Sequence, residues 1–321
     1  MSVPYYDELQ VEALLDYPGC IAAVRQAMVQ LSQVDRDQPL RQIIGLGDGN
    51  LFGVMPGKLS GNDAFGAKLV SVFEDPARKG RSRHQGVVID YDGRTGAVRC
   101  IADAEPVTRI RTACASAAAT DALARPDAAT LAIFGLGTQA EAHIHALLQV
   151  RRFSRILVWG RDSERSAAFA ARMTAAVAAP VLAVGCGEQA ASEADVITTV
   201  SSAAEPILFG SWVRPGTHIN LVGSSFLGPV EVDSALVAAG RYIADYKPSV
   251  LAQAAELDVA RRAGVVDNSH VVGEIGEVFS GSLAGREHDD QITIYKSLGN
   301  IVQDLAATAY LHSRATGETE S

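Results

Sequence analysis

Apolar residues are spaced differently along the two parts of the chain. Between residues 5 and 33, positions such as Val24, Met28 and Leu31 have helical spacing, and an alanine-rich run over 106–124 also predicts helix. FGVMPG and FGAKLVSVF predict two strands, and VVIDY and AVRCI predict a hairpin around the turn DGRTG. Because these strands do not alternate regularly with helices, the first part of the chain is predicted to be an α+β unit.

From Thr130 onward, short apolar runs alternate with longer amphipathic stretches. Parallel strands are buried on both faces and therefore form continuous apolar runs. The alternation predicts a doubly wound α/β domain, and Pro126 marks the joint before it because proline restricts the residue that it follows. The predicted strands are 130–134, 155–159, 181–184, 195–200, 217–222, 242–245 and 292–294, with helices over 164–177 and 298–311.

Composition and charge limit the class of protein. The 321 residues are 48% hydrophobic and 20% charged, which suffices for two domains with apolar cores. The formal charge of −9 argues against nucleic acid and anionic membranes, since both attract basic surfaces. The four cysteines are far apart, and His143 and His145 lack a third ligand at metal spacing, so neither disulfides nor a metal are predicted. No signal peptide or membrane span is visible, and a soluble, cytoplasmic protein is expected.

The residues after the first strand of the α/β domain have the spacing of a dinucleotide-binding turn. Gly135-Leu-Gly137-Thr-Gln-Ala140 fits G-x-G-x-x-A, and a helical run follows it. Gly135 would allow a tight turn, Gly137 would let a pyrophosphate approach the backbone, and Ala140 would let the helix pack on its strand. The helix N-terminus would add free N–H groups and a positive dipole end. Strand, turn and helix in this order predict a dinucleotide site.

A set of short motifs, in order along nearly the whole chain, resembles the ornithine cyclodeaminase/μ-crystallin family. The resemblance implies an N-terminal α+β domain that builds the substrate site and pairs two subunits. It also implies a Rossmann domain inserted before a C-terminal helix that returns to the first domain, with domains 1–124 plus 298–321 and 125–297. Members act on α-amino or α-imino acids with a nicotinamide cofactor. The motifs are KLVSV from Lys68, HQG from His84, RTA from Arg111, LARPD ending at Asp127, GxGxQA from Gly135, HINxVG from His218 and SxG from Ser297.

The resemblance also implies which residues form the site. Arg41, Lys68 and Arg111 match the family's carboxylate-binding cations, and an arginine can hold a carboxylate through two N–H groups. Lys68 lies in an apolar predicted strand, where an inward lysine needs a partner, and Lys68 or His84 is the candidate proton donor. The positions expected to bind cofactor are Arg111, Thr112, Gly135, Gly137, Thr138, Gln139, Ala140, Arg161, Asp162, Val200, Val222 and Ser297.

Two departures from the cyclodeaminase pattern favour net reduction of an imine. Cyclodeaminases that resemble this chain carry a Glu just before Met-Pro, where this chain has Gly53 at the aligned place. They also carry an Asp after the Val-Gly pair, where this chain has Ser225. That Asp steers the side-chain amine during ring closure, and a serine hydroxyl cannot provide an anionic base. We therefore expect hydride transfer to the imine carbon, with Ser225 as the polar group at the aligned position.

The basic segment before His84 bears on the substrate. If Arg83 points inward, the pocket suits a second carboxylate, as in an imino-dicarboxylate such as iminosuccinate. If Arg83 points outward, the segment is a solvated loop. The general expectation is a cyclic ketimine or a linear imino acid, with an imino-dicarboxylate as a further candidate.

Cofactor choice depends on the end of the second Rossmann strand. NAD enzymes usually place an acid there for the ribose 2′-OH, and Asp162 is available. Arg161 stands where NADP-type members carry an arginine for the 2′-phosphate, which favours NADPH over NADH.

Three functions remain open. The first is an NAD(P)H-dependent reductase of α-imino acids, acting as a homodimer. The second is a cyclodeaminase-type lyase acting on ornithine or lysine, or an alanine-type dehydrogenase. The third is a non-catalytic, crystallin-like binding protein, against which the presence of Lys68, Arg111 and the whole phosphate turn argues.

Overall fold

A computed structural model describes residues 3–33, 38–59, 64–73 and 84–317, and the chain divides into two compact units. The first unit comprises residues 1–112 and 300–321, and the second comprises residues 113–299. The boundaries lie after residues 112 and 299, whereas the sequence led to boundaries after 124 and 297. The earlier boundary falls inside the helix Ala104–Leu123, which therefore contributes to both units.

The first unit combines a mixed sheet with helices. Its elements are β1 (Tyr5–Tyr6), α1 (Glu8–Leu14), α2 (Tyr17–Gln33), β2 (Gln42–Gly47), β3 (Asn50–Lys58), β4 (Ala64–Val72), β5 (His84–Asp92), β6 (Val98–Asp103), the start of α3 (Ala104–Leu123) and α11 (Ile301–Thr316). The six strands are ordered β1-β6-β5-β4-β3-β2. All neighbours are antiparallel except β1 and β6. Helix α11 packs on β3, β4 and β5 and against α2, so it covers one face of this sheet.

The helix predicted over residues 5–33 is in fact a short strand and two helices. Its interruption lies at Leu15 and Asp16. The Asp16 carboxylate accepts a hydrogen bond from the N–H of Gly19 at 2.9 Å, and Pro18 lies in the first turn of α2. Side-chain capping and an early proline both start a helix, which explains why a new one begins here.

The second unit is an eight-stranded parallel sheet whose strands alternate with helices. Its elements are β7 (Thr130–Phe134), α4 (Thr138–Leu147), β8 (Arg155–Trp159), α5 (Ser163–Ala176), β9 (Val181–Ala183), α6 (Gly187–Glu193), β10 (Val196–Thr199), β11 (His218–Leu221), α7 (Ser234–Ala239), β12 (Arg241–Ala244), α8 (Lys247–Gln253), α9 (Ala255–Arg262), β13 (Val271–Glu274), α10 (Ile275–Phe279) and β14 (Thr293–Lys296). The order is β13-β12-β14-β11-β10-β7-β8-β9. The order of the strands reverses at β7, because β8 and β9 follow it on one side whereas β10 and β11 lie on the other. In such sheets, ligands bind at the carboxyl ends of the strands beside that reversal.

The core of the second unit is apolar from one strand to the next. All five residues of β7 and all four of β10 are buried, as parallel strands with both faces covered require. Among the described residues, no helix is long and apolar enough to cross a membrane. Within the same residues, no group of three acidic, His or Cys side chains is placed to hold a metal ion.

Candidate functional site

The turn after β7 has a backbone conformation that requires glycine. Gly135 has a φ of +135°, a backbone conformation that residues with a side chain rarely adopt. A Cβ at this position would lie 2.7 Å from the carbonyl oxygen of Val200. Glycine is therefore required at position 135, both because of its φ in the predicted tight turn and because the segment after β10 approaches so closely.

Gly137 leaves open space at the start of α4. It is the N-cap of the helix, with φ −92° and ψ −171°, and no described side chain caps it. A Cβ built on Gly137 would meet no described atom within 4 Å. Ala140, one turn into the helix, is fully buried. An uncapped helix N-terminus beside open space fits the pyrophosphate of a dinucleotide, because its N–H groups and dipole attract anions.

The other residues predicted to bind the cofactor follow the ends of neighbouring strands. Carboxyl ends of parallel strands share one edge of the sheet, so these positions lie along a single edge of the second unit. Thr138 is exposed, Gln139 is partly buried, and the hydroxyl oxygen of buried Ser297 has no described hydrogen-bond partner. The cofactor positions that follow strands are Gly135 after β7, Arg161 and Asp162 after β8, Val200 after β10, Val222 after β11 and Ser297 after β14. Ser225, predicted as a catalytic-site residue, also follows β11.

Arg161 and Asp162 are both exposed but differ in their contacts. The Asp162 carboxylate accepts a hydrogen bond from the backbone N–H of Arg165 at 3.0 Å and caps α5. Arg161 makes no hydrogen bond or ion pair with the described residues. The carboxylate already has a structural role, whereas the guanidinium is available to a phosphate.

In the first unit, two of the predicted cations meet at one buried carboxylate. Lys68 Nζ on β4 donates to Asp304 Oδ1 at 3.0 Å and to Thr108 Oγ1 at 2.9 Å. Arg111 Nε on α3 donates to the same Asp304 oxygen at 2.9 Å, and its Nη1 donates to Gln303 Oε1 at 2.6 Å. Lys68 is 4% exposed, Arg111 3% and Asp304 0%. We call Lys68, Arg111 and Asp304 the cation cluster.

The cation cluster carries more positive than negative charge. Burial, together with the charges of Arg111 and Arg41, lowers the pKa of Lys68 from 10.5 to about 8, although the Asp304 carboxylate opposes this shift. Arg41, partly buried just before β2, is therefore close enough for its charge to act on Lys68. Two buried cations with one carboxylate favour binding of a second anion, which would complete their charge balance.

Asp304 was not predicted from the sequence. It lies near the start of α11, in a stretch over 301–308 in which every residue is buried. Its second oxygen, Oδ2, is buried and has no described hydrogen-bond partner. One signal was available: an inward lysine needs an anion, and Asp304 is an acid in an otherwise mostly apolar helical segment.

Several other predicted residues have partial or no description in the structure. His84 begins β5, where its backbone pairs with that of Val72, but its side chain lies outside what the structure describes. Arg83 lies outside the described residues, so its direction stays a prediction. Ser225 is partly buried in the loop after β11, and Thr112 is buried at the end of the first unit.

Sequence comparison relates the chain to named reductases. A model of the ornithine cyclodeaminase/mu-crystallin family matches residues 5–319. A Delta(1)-pyrroline-2-carboxylate reductase of Bacillus cereus is 34% identical over 263 residues, which cover 82% of this chain and 81% of that protein. The ketimine reductase mu-crystallin of Mus musculus is 33% identical over 276 residues, which cover 86% and 84%.

Solved structures match the fold over almost the full length. The Delta(1)-pyrroline-2-carboxylate reductase of Thermococcus litoralis, in complex with NADH and L-proline, has a TM-score of 0.92 at 28% identity, covering 99% of this chain and 100% of that one. An archaeal alanine dehydrogenase dimer with bound NAD has 0.91 at 26%, covering 100% and 98%. The iminosuccinate reductase of Paracoccus denitrificans in complex with NAD+ has 0.89 at 26%, covering 98% and 97%. These matches confirm the predicted fold class, and with the family model they show that the chain belongs to the ornithine cyclodeaminase/mu-crystallin family.

Proposed function

We propose that the protein reduces the C=N bond of α-imino acids with NAD(P)H and yields L-amino acids. The coarser statement, an NAD(P)-dependent oxidoreductase that acts on C=N groups, follows from its family and its similarity to named reductases. The proposal that the substrates are α-imino acids rests on the cation cluster, in which Lys68 and Arg111 share one buried carboxylate oxygen of Asp304.

The cation cluster binds the α-carboxylate of the substrate in this proposal. Arg111 uses Nε and Nη1 within the unit, whereas its Nη2 donates to no described residue. Lys68 uses two of its three N–H groups, on Asp304 and Thr108. Because Asp304 holds both cations from one side, their remaining N–H groups can donate to a second, incoming carboxylate. The bound carboxylate fixes the position of the neighbouring C=N group.

A proton must reach the imine nitrogen as its carbon is reduced. The nicotinamide, when bound, supplies the hydride. Lys68 is one candidate for the proton, since burial and two neighbouring cations bring its pKa to about 8 and make its ammonium a better acid than an exposed lysine. His84 is the other candidate, on the basis of the family motif alone.

Cyclodeamination is disfavoured by the residues at the two diagnostic positions. Gly53 on β3 has no side chain, and Ser225 after β11 has a hydroxyl that stays neutral at physiological pH. The acid that the cation cluster does contain, Asp304, is engaged by two cations, so it is not available as a base for the amine of ornithine or lysine.

A substrate panel tests the function. We expect nicotinamide absorbance to fall with cyclic 2-imino carboxylates, as the relatives named pyrroline-2-carboxylate and ketimine reductases suggest. Iminosuccinate belongs in the panel because of Arg83 and the similar iminosuccinate reductase. Ammonia and a ring product from ornithine would instead indicate the lyase, and steady NAD(P)+ reduction with alanine would indicate the dehydrogenase. Tight cofactor binding without turnover would indicate a binding protein.

We propose NADPH as the preferred cofactor because the Arg161 guanidinium is exposed and has no partner among the described residues. Arg161→Ala is expected to raise the KM for NADPH about tenfold and leave that for NADH unchanged, since a charged hydrogen bond contributes about 1.4 kcal/mol or more. Arg165→Ala, at a neighbouring exposed arginine, is the control. A large NADH preference of the wild-type protein would contradict this assignment.

We also propose that two copies pair through the first unit. All six residues of β2 are exposed at the edge of its sheet, and Ile43, Ile44 and Leu46 are each about half exposed. Edge strands with exposed apolar side chains readily associate with another chain, and the similar archaeal alanine dehydrogenase is a dimer. Sedimentation velocity tests this, and a monomer at micromolar concentration would contradict it.

A further inference from the structure

Glu231 is a buried acid that no step of the proposed reaction uses. Its side chain is 0% exposed and accepts four hydrogen bonds, each of 2.7 Å. Oε1 accepts from the backbone N–H and the hydroxyl of Ser201, and Oε2 accepts from the Thr199 hydroxyl and the backbone N–H of Gly223. A carboxylate with four donors around it is fully occupied as an acceptor.

The four donors belong to two segments that follow adjacent strands. Thr199 ends β10 and Ser201 follows it, while Gly223 lies two residues beyond the end of β11. These segments contain Val200 and Val222, both predicted to contact the cofactor. Glu231 is therefore a single side chain that joins the two segments at the carboxyl edge of the sheet.

The glycine of the Val222-Gly223 pair is explained by the same contact. A Cβ on Gly223 would lie 2.3 Å from Glu231 Oε1 and 2.3 Å from the carbonyl oxygen of Ser201. No side chain fits there without moving either the carboxylate or the backbone. The close approach shows that the geometry of this segment is built around Glu231.

A second buried pair supports the same region from β14. Lys296 Nζ donates to Glu256 Oε2 at 3.0 Å and to the carbonyl oxygen of Ser224 at 2.6 Å, and both charged side chains are fully buried. The other oxygen of Glu256 accepts from the backbone N–H of Glu231 at 3.3 Å. The segment Val222–Ser225 is thus bonded through Gly223 to one acid and through Ser224 to a lysine held by another.

The ionised form of Glu231 is the one that these contacts stabilise. Burial raises the pKa of this carboxyl, while hydrogen bonds from Thr199 and Ser201 and the charge of Lys296 act in the opposite direction. Each oxygen of this carboxyl faces one backbone N–H, from Ser201 or Gly223, which can donate but cannot accept a hydrogen bond from a protonated carboxyl. Burying an acid has a large desolvation penalty, and apolar side chains of similar volume would stabilise the fold at least as well.

We propose that Glu231 is a positioning residue that fixes the Thr199–Ser201 and Val222–Ser225 segments as a preformed wall for the nicotinamide end of the cofactor. This rests on the proposed function, in which that edge of the sheet binds NAD(P)H. Glu231 does not touch the cofactor. It bonds the backbone of Ser201 and Gly223, and through them it fixes the neighbouring residues Val200, Val222 and Ser225.

Glu231→Gln is a sharp test because a carboxamide cannot replace both oxygens. One backbone N–H points at Oε1, from Ser201, and another points at Oε2, from Gly223. In either orientation, the NH2 of the glutamine amide faces one of these backbone N–H groups. A backbone N–H can only donate a hydrogen bond, whereas a hydroxyl could turn and accept one. One of the two segments must therefore shift.

Asp195→Asn is the matched control within the same unit. Asp195 lies just before β10, at the other end of the strand, where its Oδ2 accepts from the N–H groups of Ala129 and Thr130 at 2.9 Å. Its Oδ1 accepts from Arg125 Nη2 at 3.0 Å. It is also a carboxylate that accepts two backbone N–H groups, both from the segment at the start of β7, but it is remote along the strand from the carboxyl edge.

The experiment uses the full-length protein and titrates NADH and NADPH by fluorescence, together with kcat, KM and melting temperature. We expect Glu231→Gln to weaken cofactor binding or lower kcat by about 30-fold, a shift of about 2 kcal/mol. The KM for the imino acid should change less than about threefold, because the cation cluster is intact. Asp195→Asn should lower the melting temperature but leave cofactor affinity and kcat within about threefold of wild type.

A second variant covers the case in which Glu231→Gln does not fold. Thr199→Val keeps the shape of a fully buried residue and removes one of the four hydrogen bonds, so we expect a loss of about threefold to tenfold in cofactor affinity or kcat. Unchanged values in Thr199→Val, or a Glu231→Gln protein that matches Asp195→Asn, would overturn the positioning role while the reductase function stands. A wild-type protein that binds neither cofactor would overturn both.

Discussion

Replacing Lys68 with methionine is expected to lower kcat/KM for the imino acid about 10³-fold, or about 4 kcal/mol, within the range for breaking a buried charge pair. Methionine has a similar length and fills the same buried space, so the loss would come from the charge. The Lys68 ammonium bonds Asp304 at 3.0 Å and Thr108 at 2.9 Å, and without it the cluster has one cation and one anion. The net positive charge that attracts a substrate carboxylate would be removed.

The pH dependence of the wild-type activity is expected to follow the ionisation of the same group, the Lys68 ammonium. Its kcat/KM is expected to fall as the pH rises through about 8, because the pKa of Lys68 is lowered to about 8 and the neutral amine neither attracts a carboxylate nor donates a proton. A bound carboxylate favours the charged form, so the corresponding fall in kcat should lie at higher pH. In Lys68→Met this alkaline limb should be absent.

The control for Lys68→Met is Lys58→Met, at an exposed lysine at the end of β3 in the same unit. Its kcat/KM and its pH profile should match those of the wild type. Cofactor affinity measured by fluorescence should be unchanged in both variants, since neither residue is among those predicted to bind the cofactor. A Lys68→Met protein with more than about a tenth of wild-type kcat/KM would refute the role of the cation cluster.

Gly137→Val is expected to abolish cofactor binding without destabilising the protein. The backbone at Gly137 has φ −92° and ψ −171°, which valine also adopts, and a Cβ there meets no described atom within 4 Å. The added side chain would occupy the space in which the pyrophosphate is expected to lie against the start of α4. We expect NAD(P)H affinity to fall at least about 100-fold, or about 2.8 kcal/mol, as for other overpacked contacts.

Fluorescence titration and thermal unfolding together check this prediction. Gly185→Val is the control, because Gly185 also has open space around it in the second unit and lies between β9 and α6. Both variants should unfold within about 2 °C of wild type, as for substitutions of about 0.5 kcal/mol or less at open surface positions. Normal cofactor affinity in Gly137→Val would show that the pyrophosphate does not lie at this turn.

The parallel sheet could be predicted closely from sequence, and the mixed sheet less so. Strands β7 and β8 have the predicted bounds, because a buried parallel strand is an apolar run that ends at a glycine turn. Strand β2 was not delimited, since QIIGLG has no alternation and all its residues are exposed. Strand β13, with the sequence VVGE, was missed because four residues with a glycine give too little pattern.

The candidate site divides in the same way. Lys68 and Arg111 were predicted from motifs, but their shared partner Asp304 is 236 residues from Lys68 along the chain, and no local pattern encodes that pairing. Glu231 was missed for a related reason. It follows Pro229 and Val230 in a loop, where neither periodicity nor a motif distinguishes a buried acid from an exposed one.

The position of α11 has a consequence for synthesis of the chain. The second unit is a continuous stretch, residues 113–299, whereas the first unit needs residues 300–321 to be complete. On the ribosome the parallel sheet can form as soon as it has emerged, while Lys68 and Arg111 wait for Asp304 until the last segment is released. We expect nascent chains that stop before Ile301 to contain a folded central unit and an unfinished N-terminal one.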